Sequence, residues 1–236
     1  SDFGHHAEPF FALHVVALPI VILALVVLHI IALHEVGSNN PDGIDIKQKK
    51  DEAGNPRDGI PFHPYYTVKD LVGVAVFLFV FCVVVFYFPE GGGYFIETPN
   101  FEPANPLQTP DHIAPVWYFT PFYAILRAIT FSIFGLEAKF LGVMCMGAAI
   151  AVLFVLPWLD RSRVRSMRYK GWISKLMLAL FAASFVTLGV LGVLPSTGGR
   201  TLLAQVCTAV YFAYFLLMPI YTRLEKTKPV PERVTG

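Results

Sequence analysis

The sequence PFFALHVVALPIVILALVVLHIIALHEVGSNN, residues 9–40, decides the fold class of this chain. It has no Asp, Glu, Lys or Arg between residues 10 and 33 and is almost wholly apolar. About twenty such residues span the hydrocarbon core of a bilayer, so the stretch predicts a transmembrane helix. Two imidazoles, His14 and His29, are the exceptions, and polar side chains inside a membrane generally have a functional partner.

The spacing of these histidines suggests a partner. They are 15 residues apart, which at about 1.5 Å and about 100° per residue places them roughly 22 Å apart along the axis and within roughly 60° of each other. One imidazole would then lie near each membrane leaflet on a similar face, as two haems stacked across the bilayer require. The alternative is that both bond carbonyls of neighbouring helices, and the spacing alone leaves both readings open.

The composition agrees with a membrane protein. Hydrophobic residues make up 55% of the chain and charged residues only 15%, and the mean hydropathy of +0.58 excludes an ordinary soluble domain. A net charge of +1, with no basic run that includes aromatic residues, argues against nucleic-acid binding. The cysteines Cys82, Cys145 and Cys207 sit in apolar segments without a CxxC or CxxCH motif, and are predicted to be packing thiols.

Four further apolar runs follow, at residues 71–88, 140–159, 173–194 and 202–221, which gives five predicted crossings. A long segment rich in proline and aromatic residues separates the second crossing from the third, and residues 123–134 are predicted to form an interfacial amphipathic helix. The predicted fold is therefore an all-α integral membrane protein with five transmembrane helices and a long outer loop that carries a short helix.

The loops predict the orientation. Basic residues are concentrated in the loop after the third span, in the C-terminal tail and, more weakly, in the first loop, whereas the long loop carries Glu90, Glu97, Glu102 and Asp111. All basic loops fall on one side when five helices alternate. The positive-inside rule then places the N-terminus outside and the C-terminus in the cytoplasm, with His14 nearer the outer face and His29 nearer the inner one.

Several motifs, taken in order, resemble cytochrome b of the quinol:cytochrome c oxidoreductase, or complex III, of bacterial type. They are FFALH at residues 10–14, LHIIALHEVGSNNP at 28–41, PFHPYYTVKD at 61–70, PANPLQTPDHIAPVWYF at 103–119, then YAILRAI and RSMRYK. The resemblance covers nearly the whole chain and implies a dihaem membrane subunit. It implies that the chain corresponds to the family from its fourth transmembrane helix to the C-terminus, with residues 1–67 ending the haem-binding domain and residues 68–236 forming the C-terminal four-helix domain.

The same resemblance implies the cofactors. His14 would be an axial ligand of the lower-potential haem b and His29 of the higher-potential one. No further histidine lies in an apolar span, so the second ligand of each haem is expected from outside this chain. The chain starts at Ser1 without a signal pattern, which fits a processed or trimmed chain or a piece of a longer polypeptide.

Two quinone sites are also implied. His34, Ser38, Lys69 and Asp70 match positions around quinone at the inner, reducing site, where titratable groups at a membrane edge suit a reaction that takes up protons. At the outer, quinol-oxidising site, the resemblance assigns binding roles to Pro115, Val116 and Trp117 and catalytic roles to Tyr118 and Tyr123.

The sequence departs from the family pattern at two places. Val116 replaces the glutamate usually proposed to accept a quinol proton, which leaves Asp111, His112 and Tyr123 as candidates without a choice among them. The interval from His14 to His29 is one residue longer than in most respiratory members, with Pro19 nearby. Proline commonly accompanies a kink or bulge, so an irregularity near residues 17–19 is predicted to absorb the extra residue.

The function implied is quinol oxidation at the outer surface and quinone reduction at the inner one, coupled to proton translocation in a bacterial inner membrane. The expected partners are the N-terminal helices of cytochrome b, a Rieske iron–sulfur protein, cytochrome c1 and a second copy of the complex. Two alternatives stay open from the residues alone. One is a dihaem membrane anchor of a quinone-linked dehydrogenase, and the other is a non-haem transporter subunit with histidines on a substrate path.

Overall fold

The computed structural model describes residues 9–93, 101–103, 105, 107 and 114–235. Within these ranges the chain is helical and no β-strand forms, which confirms the predicted fold class. The helices are α1 (Pro9–Val36), α2 (Tyr65–Tyr87), α3 (Thr120–Ala128), α4 (Ala138–Leu159), α5 (Trp172–Val193), α6 (Gly198–Leu216) and α7 (Met218–Leu224). Short 3-10 turns lie at Ile46–Gln48, Gly91–Gly93 and Trp117–Phe119.

The described part of the chain has four helices, α1, α2, α4 and α5, that are long and apolar enough to cross a membrane alone. The fifth predicted crossing is broken: α6 and α7 meet at an angle of 55° and qualify as a span only together. Pro219 explains the break, because it has no backbone N–H and its ring clashes with the carbonyl of the residue four positions earlier. The five crossings are thus confirmed if the bent pair counts as one span.

The interfacial helix was predicted at the wrong residues. It begins at Thr120, with Pro121 in its first turn, and ends at Ala128. Ile129 then takes an extended backbone, at the start of a β-branched pair with Thr130 that disfavours helix. One face of α3 is buried, through the residues Thr120, Pro121, Ala124, Ile125 and Ala128.

Two glycines allow α3 to pack closely on the spanning helices. A Cβ atom built on Gly192 of α5 would lie 2.2 Å from the carbonyl oxygen of Thr120. A Cβ atom on Gly142 of α4 would lie 2.6 Å from the carbonyl oxygen of Leu126. Both distances are too short for any side chain, so the backbone of α3 is held between α4 and α5 at positions that only glycine permits.

The core lies among α3, α4, α5 and α6. Tyr211 and Phe215 are almost fully buried there, and the Tyr211 hydroxyl donates to the carbonyl of Ala149 at 2.8 Å. Phe181 stacks on Tyr214 with ring centroids 4.6 Å apart. By contrast, α1 and α2 contribute no buried residue, and no residue in the spanning window of either helix is buried within this chain. Their apolar surface is therefore available to lipid or to other helices.

The prediction that the cysteines are packing thiols is confirmed for Cys145 and Cys207 but not for Cys82. Cys82, Cys145 and Cys207 are all free, and Cys207 lies in the core cluster, against which Cys145 is partly buried. Cys82 is exposed on α2 and packs against no core residue that the structure describes. None of the three is paired in a disulfide within the described ranges.

The polar segments that were predicted to share one side of the membrane are in direct contact. Asp42, in the first loop, accepts from Arg168 at 2.9 Å and from the Tyr169 hydroxyl at 2.5 Å, both in the loop between α4 and α5. The tail joins them, because the Thr235 amide and hydroxyl donate to Asp42 at 2.8 and 2.9 Å, and Arg233 forms an ion pair with Asp58 at 2.7 Å. We call this contact region the polar face.

The carboxylate of Asp42 is central to the polar face. The hydrogen bond from Tyr169, together with those from Thr235 and the charge of Arg168, holds the pKa of Asp42 at about 2, against an ordinary value of 3.8. Because the pKa of Asp42 is lower in the folded state than in the unfolded state, its carboxylate stabilises the contact at any pH above the unfolded-state pKa. This stabilisation is lost as the pH falls through the folded-state pKa. The tail should therefore stay attached at pH 4 and above and loosen as the pH approaches 2.

Asp42→Asn is expected to release the tail at neutral pH. The amide nitrogen cannot accept from Thr235 or Tyr169, and the charge that attracts Arg168 is lost. Limited proteolysis of the complex should then cut the tail severalfold faster than in the wild type. Asp45→Asn is the matched control, because the Asp45 carboxylate accepts only from Lys47 and Gln48 of its own turn. Equal cleavage of the two variants would contradict the prediction.

Candidate functional site

The histidine helix contains the predicted irregularity. Residues Leu13–Ala17 form a π-helical turn in which the Leu18 amide donates to the Leu13 carbonyl, and the regular α-helix resumes at Leu18 with Pro19 in its first turn. The turn includes His14 and ends two residues before Pro19. The predicted irregularity is therefore present, but it overlaps the predicted residues 17–19 only at Ala17. Because a π-turn accommodates one extra residue, His14 and His29 are about 14 α-helical steps apart, and their directions differ by roughly 40°.

Both imidazoles are free to act as ligands. His14 and His29 are exposed on α1, surrounded by aliphatic side chains. Neither forms a hydrogen bond or ion pair with any residue that the structure describes, so the alternative in which each bonds a helix carbonyl finds no partner within this chain. A neutral imidazole in an apolar setting suits haem, whose porphyrin fills the iron's equatorial positions and leaves only axial ligands to the protein.

The residues near the ligand helix fit this requirement. Across the described ranges, no group of three or more His, Cys, Asp or Glu side chains could hold a metal ion. The fully exposed, apolar surface of α1 leaves room for a flat hydrophobic group beside either imidazole.

The inner residues lie at two helix ends. His34 is in the last turn of α1 and Ser38 follows it, whereas Lys69 and Asp70 lie near the start of α2. Ser38 lines a cleft of about 200 Å³ formed by Val36–Asn39, Ile44–Lys47 and Arg165. Lys69 lies 5.4 Å from the Tyr66 ring centroid. No hydrogen bond or ion pair in the described part of the chain joins the four predicted residues, so the structure does not bring them into one site.

The outer residues form a compact turn. Val116 is extended and leads into the 3-10 turn Trp117–Phe119, which is fixed to α3 because the Thr120 hydroxyl donates to the Trp117 carbonyl at 2.7 Å. Trp117 and Tyr118 meet edge to face at 5.7 Å between ring centroids. Their side chains are 80% and 62% exposed, which leaves both rings accessible to a ligand. Pro115 precedes them and is half-buried.

Arg127 is the residue at this site that sequence reasoning missed. Its guanidinium lies 5.0 Å from the ring centroid of Tyr123, one helical turn earlier on α3. The same guanidinium donates to the carbonyls of Leu191 and Leu194 at 2.6 and 2.9 Å, at the C-terminal end of α5. It therefore ties Tyr123 to α5. The sequence does contain a signal for this contact, because a tyrosine and an arginine four residues apart lie on the same face of a helix.

The candidate proton acceptors are only partly described. Asp111 and His112 lie outside the residues that the structure describes. Val116 is exposed and has no titratable group, so it cannot accept a proton in place of the glutamate that the family pattern has at this position. Of the three candidates only Tyr123 has a described position, partly buried on α3 beside Arg127.

Two family models match the chain. "Cytochrome b(N-terminal)/b6/petB" matches residues 3–94 and "Cytochrome b(C-terminal)/b6/petD" matches residues 103–212. Both regions of the family are therefore represented. The matches do not support the expectation that the chain starts at the family's fourth helix.

Curated relatives agree with the models. A cytochrome b of Allochromatium vinosum is 62% identical over 207 residues, which are 85% of this chain and 49% of the relative. A cytochrome b of Cereibacter sphaeroides is 42% identical over 237 residues, 95% of this chain and 52% of the relative. The chain thus spans about half the length of the curated relatives it matches.

A solved structure has the same fold. A chain of "Hyperthermophilic respiratory Complex III" matches with a TM-score of 0.78 and 36% sequence identity, over 92% of this chain and 51% of that chain. The match supports the helix arrangement over nearly the whole chain described above.

Proposed function

Because this chain belongs to the cytochrome b family and is a multi-pass membrane protein, we propose that it forms part of a quinol:cytochrome c oxidoreductase. In this proposal quinol is oxidised at the outer surface, quinone is reduced at the inner surface, and α1 contributes one axial ligand to each of two b-type haems between them. The observation that carries the proposal is the π-turn at Leu13–Ala17, which compensates for the extra residue between two unpartnered imidazoles.

The haem part of the proposal assigns His14 to the haem near the outer face and His29 to the haem near the inner face. When bound, the two haems would supply a path for electrons across the membrane. The rigid α1 fixes the imidazoles roughly 20 Å apart along its axis and keeps them in a medium of low dielectric constant. The second axial ligands are proposed to come from N-terminal cytochrome b helices, in the same or a separate polypeptide, packed on the exposed face of α1.

The outer part of the proposal concerns Pro115–Tyr118 and Tyr123. The 3-10 turn presents the rings of Trp117 and Tyr118 beside α3, where they would line a quinol ring, and Tyr118 and Tyr123 offer hydroxyls that could hydrogen-bond a quinol oxygen. Arg127 restricts the Tyr123 ring by stacking on it. Val116 supplies no proton acceptor, so the acceptor is left to another group.

The inner part of the proposal concerns His34, Ser38, Lys69 and Asp70. Imidazole, ammonium and carboxylate groups at a helix end can exchange protons with water and hydrogen-bond a quinone oxygen. The four come from the C-terminal end of α1 and the N-terminal end of α2, and packing of further helices against these two exposed elements is what would bring them together.

The proposed setting is a bacterial inner membrane with the polar face in the cytoplasm. Its support is the contact among the basic first loop, the α4–α5 loop and the tail, which places the positively charged segments on one side. In this proposal the N-terminus is periplasmic. A Rieske iron–sulfur protein, cytochrome c1 and a second copy of the complex are the proposed partners.

The test is a redox difference spectrum and a quinol:cytochrome c assay on the complex isolated from membranes. We expect absorption of two b-type haems and turnover that stops with an inhibitor of quinol oxidation at the outer site. Absence of b-type haem would favour a transporter subunit. Haem without cytochrome c reduction would favour a membrane anchor of a dehydrogenase. Either result would overturn the proposal.

A further inference from the structure

Two cavities adjoin at the break between α6 and α7, on the side of the polar face. The first, of about 200 Å³, is walled on its apolar side by Leu156, Tyr214 and Met218 and on its polar side by Asp160, Arg165 and Lys170. The second, of about 480 Å³, is lined by residues 222–227 and Arg163. Thr222 borders both cavities, so they are neighbours at this residue, and together they are called the region below.

The acidic groups of this region already have partners. Asp160 forms an ion pair with Lys170, whose side chain is only 6% exposed. Glu225 accepts from the Ser174 hydroxyl at 2.7 Å and from the Ser174 amide at 3.2 Å. The charge of Asp160 is therefore offset by Lys170, whereas Glu225 is bonded to neutral groups only and is the one unpaired negative charge among the residues that line the two cavities.

Four cations of the region have no such partner. Arg163, Arg165, Arg223 and Lys226 line the cavities, are exposed, and form no side-chain hydrogen bond or ion pair with any described residue. They come from two segments, the α4–α5 loop and the end of α7, which the Thr222 hydroxyl joins by accepting from the Arg161 amide at 3.0 Å. The region thus combines surplus positive charge with an apolar wall.

We propose that this region binds the headgroup of an anionic phospholipid. The phosphate would lie among Arg163, Arg165, Arg223 and Lys226, and an acyl chain would pass the wall formed by Leu156 and Met218. Guanidinium groups bind phosphate through paired, charge-assisted hydrogen bonds. Basic pockets between spanning helices at a membrane edge are typical sites for such headgroups.

The first cavity lies at the break in the last span. The bend of 55° separates α6 from α7, and Met218 and Thr222 of α7 line the cavity directly after it. A free inorganic phosphate would use the same cations, but it would leave the apolar wall without a partner. The wall is the reason for choosing a lipid, and the proposal does not depend on electron transfer.

The test uses the intact complex in nanodiscs of phosphatidylcholine with a minor fraction of phosphatidylglycerol. After a detergent wash, the phosphatidylglycerol retained per complex is measured by mass spectrometry. The wild type should retain phosphatidylglycerol severalfold above its share in the nanodisc, and the double variant Arg165→Gln with Arg223→Gln should lose that enrichment. The control is Lys50→Gln with Arg57→Gln, two exposed cations near the polar face that line neither cavity.

Every outcome decides the proposal. Equal loss in the control pair would mean a general surface charge effect and would overturn it, as would undiminished enrichment in the double variant. If the double variant does not assemble, Lys226→Gln, at the rim of the second cavity, serves instead and should lower the enrichment. In nanodiscs of phosphatidylcholine alone, inorganic phosphate should not raise the Tm. A rise equal to that given by phosphatidylglycerol would identify a free-phosphate site and overturn the lipid assignment.

Discussion

His14→Ala and His29→Ala are each expected to remove one b-type haem from the assembled complex and to stop quinol-driven turnover. Alanine would leave the iron without the axial nitrogen proposed for it, and the remaining histidine of α1, His34, lies in the last turn of the helix. The difference spectrum should keep about half of its b-type absorbance in either variant, with the band of a different haem missing in each.

The two variants should also differ in which partial reaction survives. With His29→Ala, the outer haem should still be reduced by quinol, because its ligand His14 is intact. With His14→Ala, the inner haem should still be reduced from the inner quinone site. His63→Ala is the matched control: His63 lies before α2, and its Nδ1 is 3.2 Å from the Thr67 hydroxyl oxygen, so both haems should remain. Two full haem bands in either α1 variant would refute the ligand assignment.

The π-turn shows how far a sequence argument can reach when a local constraint is strong. A proline in the interior of a helix removes one backbone hydrogen bond and clashes with the preceding turn, and Pro19 lies in the interior of the predicted span. One extra residue also had to be absorbed if the two imidazoles were to keep the spacing of the family. Both considerations concern residues close in sequence, and the structure has the irregularity at the adjoining positions. Pro219 likewise accompanies a helix irregularity, the bend between α6 and α7. This bend was not predicted, because the hydropathy of residues 202–221 alone indicates one straight span.

The limits of α3 were missed for a physical reason. The sequence pattern shows an amphipathic segment, but the position of the helix is decided by contacts distant in sequence. Thr120 and Leu126 lie against glycines of α5 and α4, and the sequence around residues 120–128 does not indicate that these glycines are their partners. Arg127 was overlooked on the same grounds, since the carbonyls it binds lie more than 60 residues later.

The resemblance predicts which residues belong to the inner quinone site, but it does not predict how they come together in space. Lys69 and Asp70 belong to a helix whose every residue is exposed or half-buried in this chain, and the same holds for α1. Spanning helices pack through contacts with neighbours and not through a hydrophobic effect between them. Their relative placement in the working protein is therefore proposed to depend on helices that pack against both.

Gly192→Ala is expected to slow quinol oxidation by about a hundredfold while leaving both haems in place. The new Cβ would lie 2.2 Å from the carbonyl oxygen of Thr120, and because both groups belong to backbones, no rotamer change relieves the overlap. Thr120 must move, and it carries the Trp117–Phe119 turn through its hydroxyl. A displacement of about 1 Å at a substrate-positioning group can cost about 10²-fold in rate.

The matched control for this prediction is Gly147→Ala on α4, where an added Cβ meets no atom within 4 Å. Its turnover should equal that of the wild type. In Gly192→Ala, reduction of the inner haem from the inner quinone site, measured with the outer site inhibited, should stay near normal, because α1 and α2 do not touch the altered contact. Loss of both reactions with loss of haem would mean that the protein fails to fold. Wild-type turnover in Gly192→Ala would show that the packing of α3 on α5 does not position the outer site.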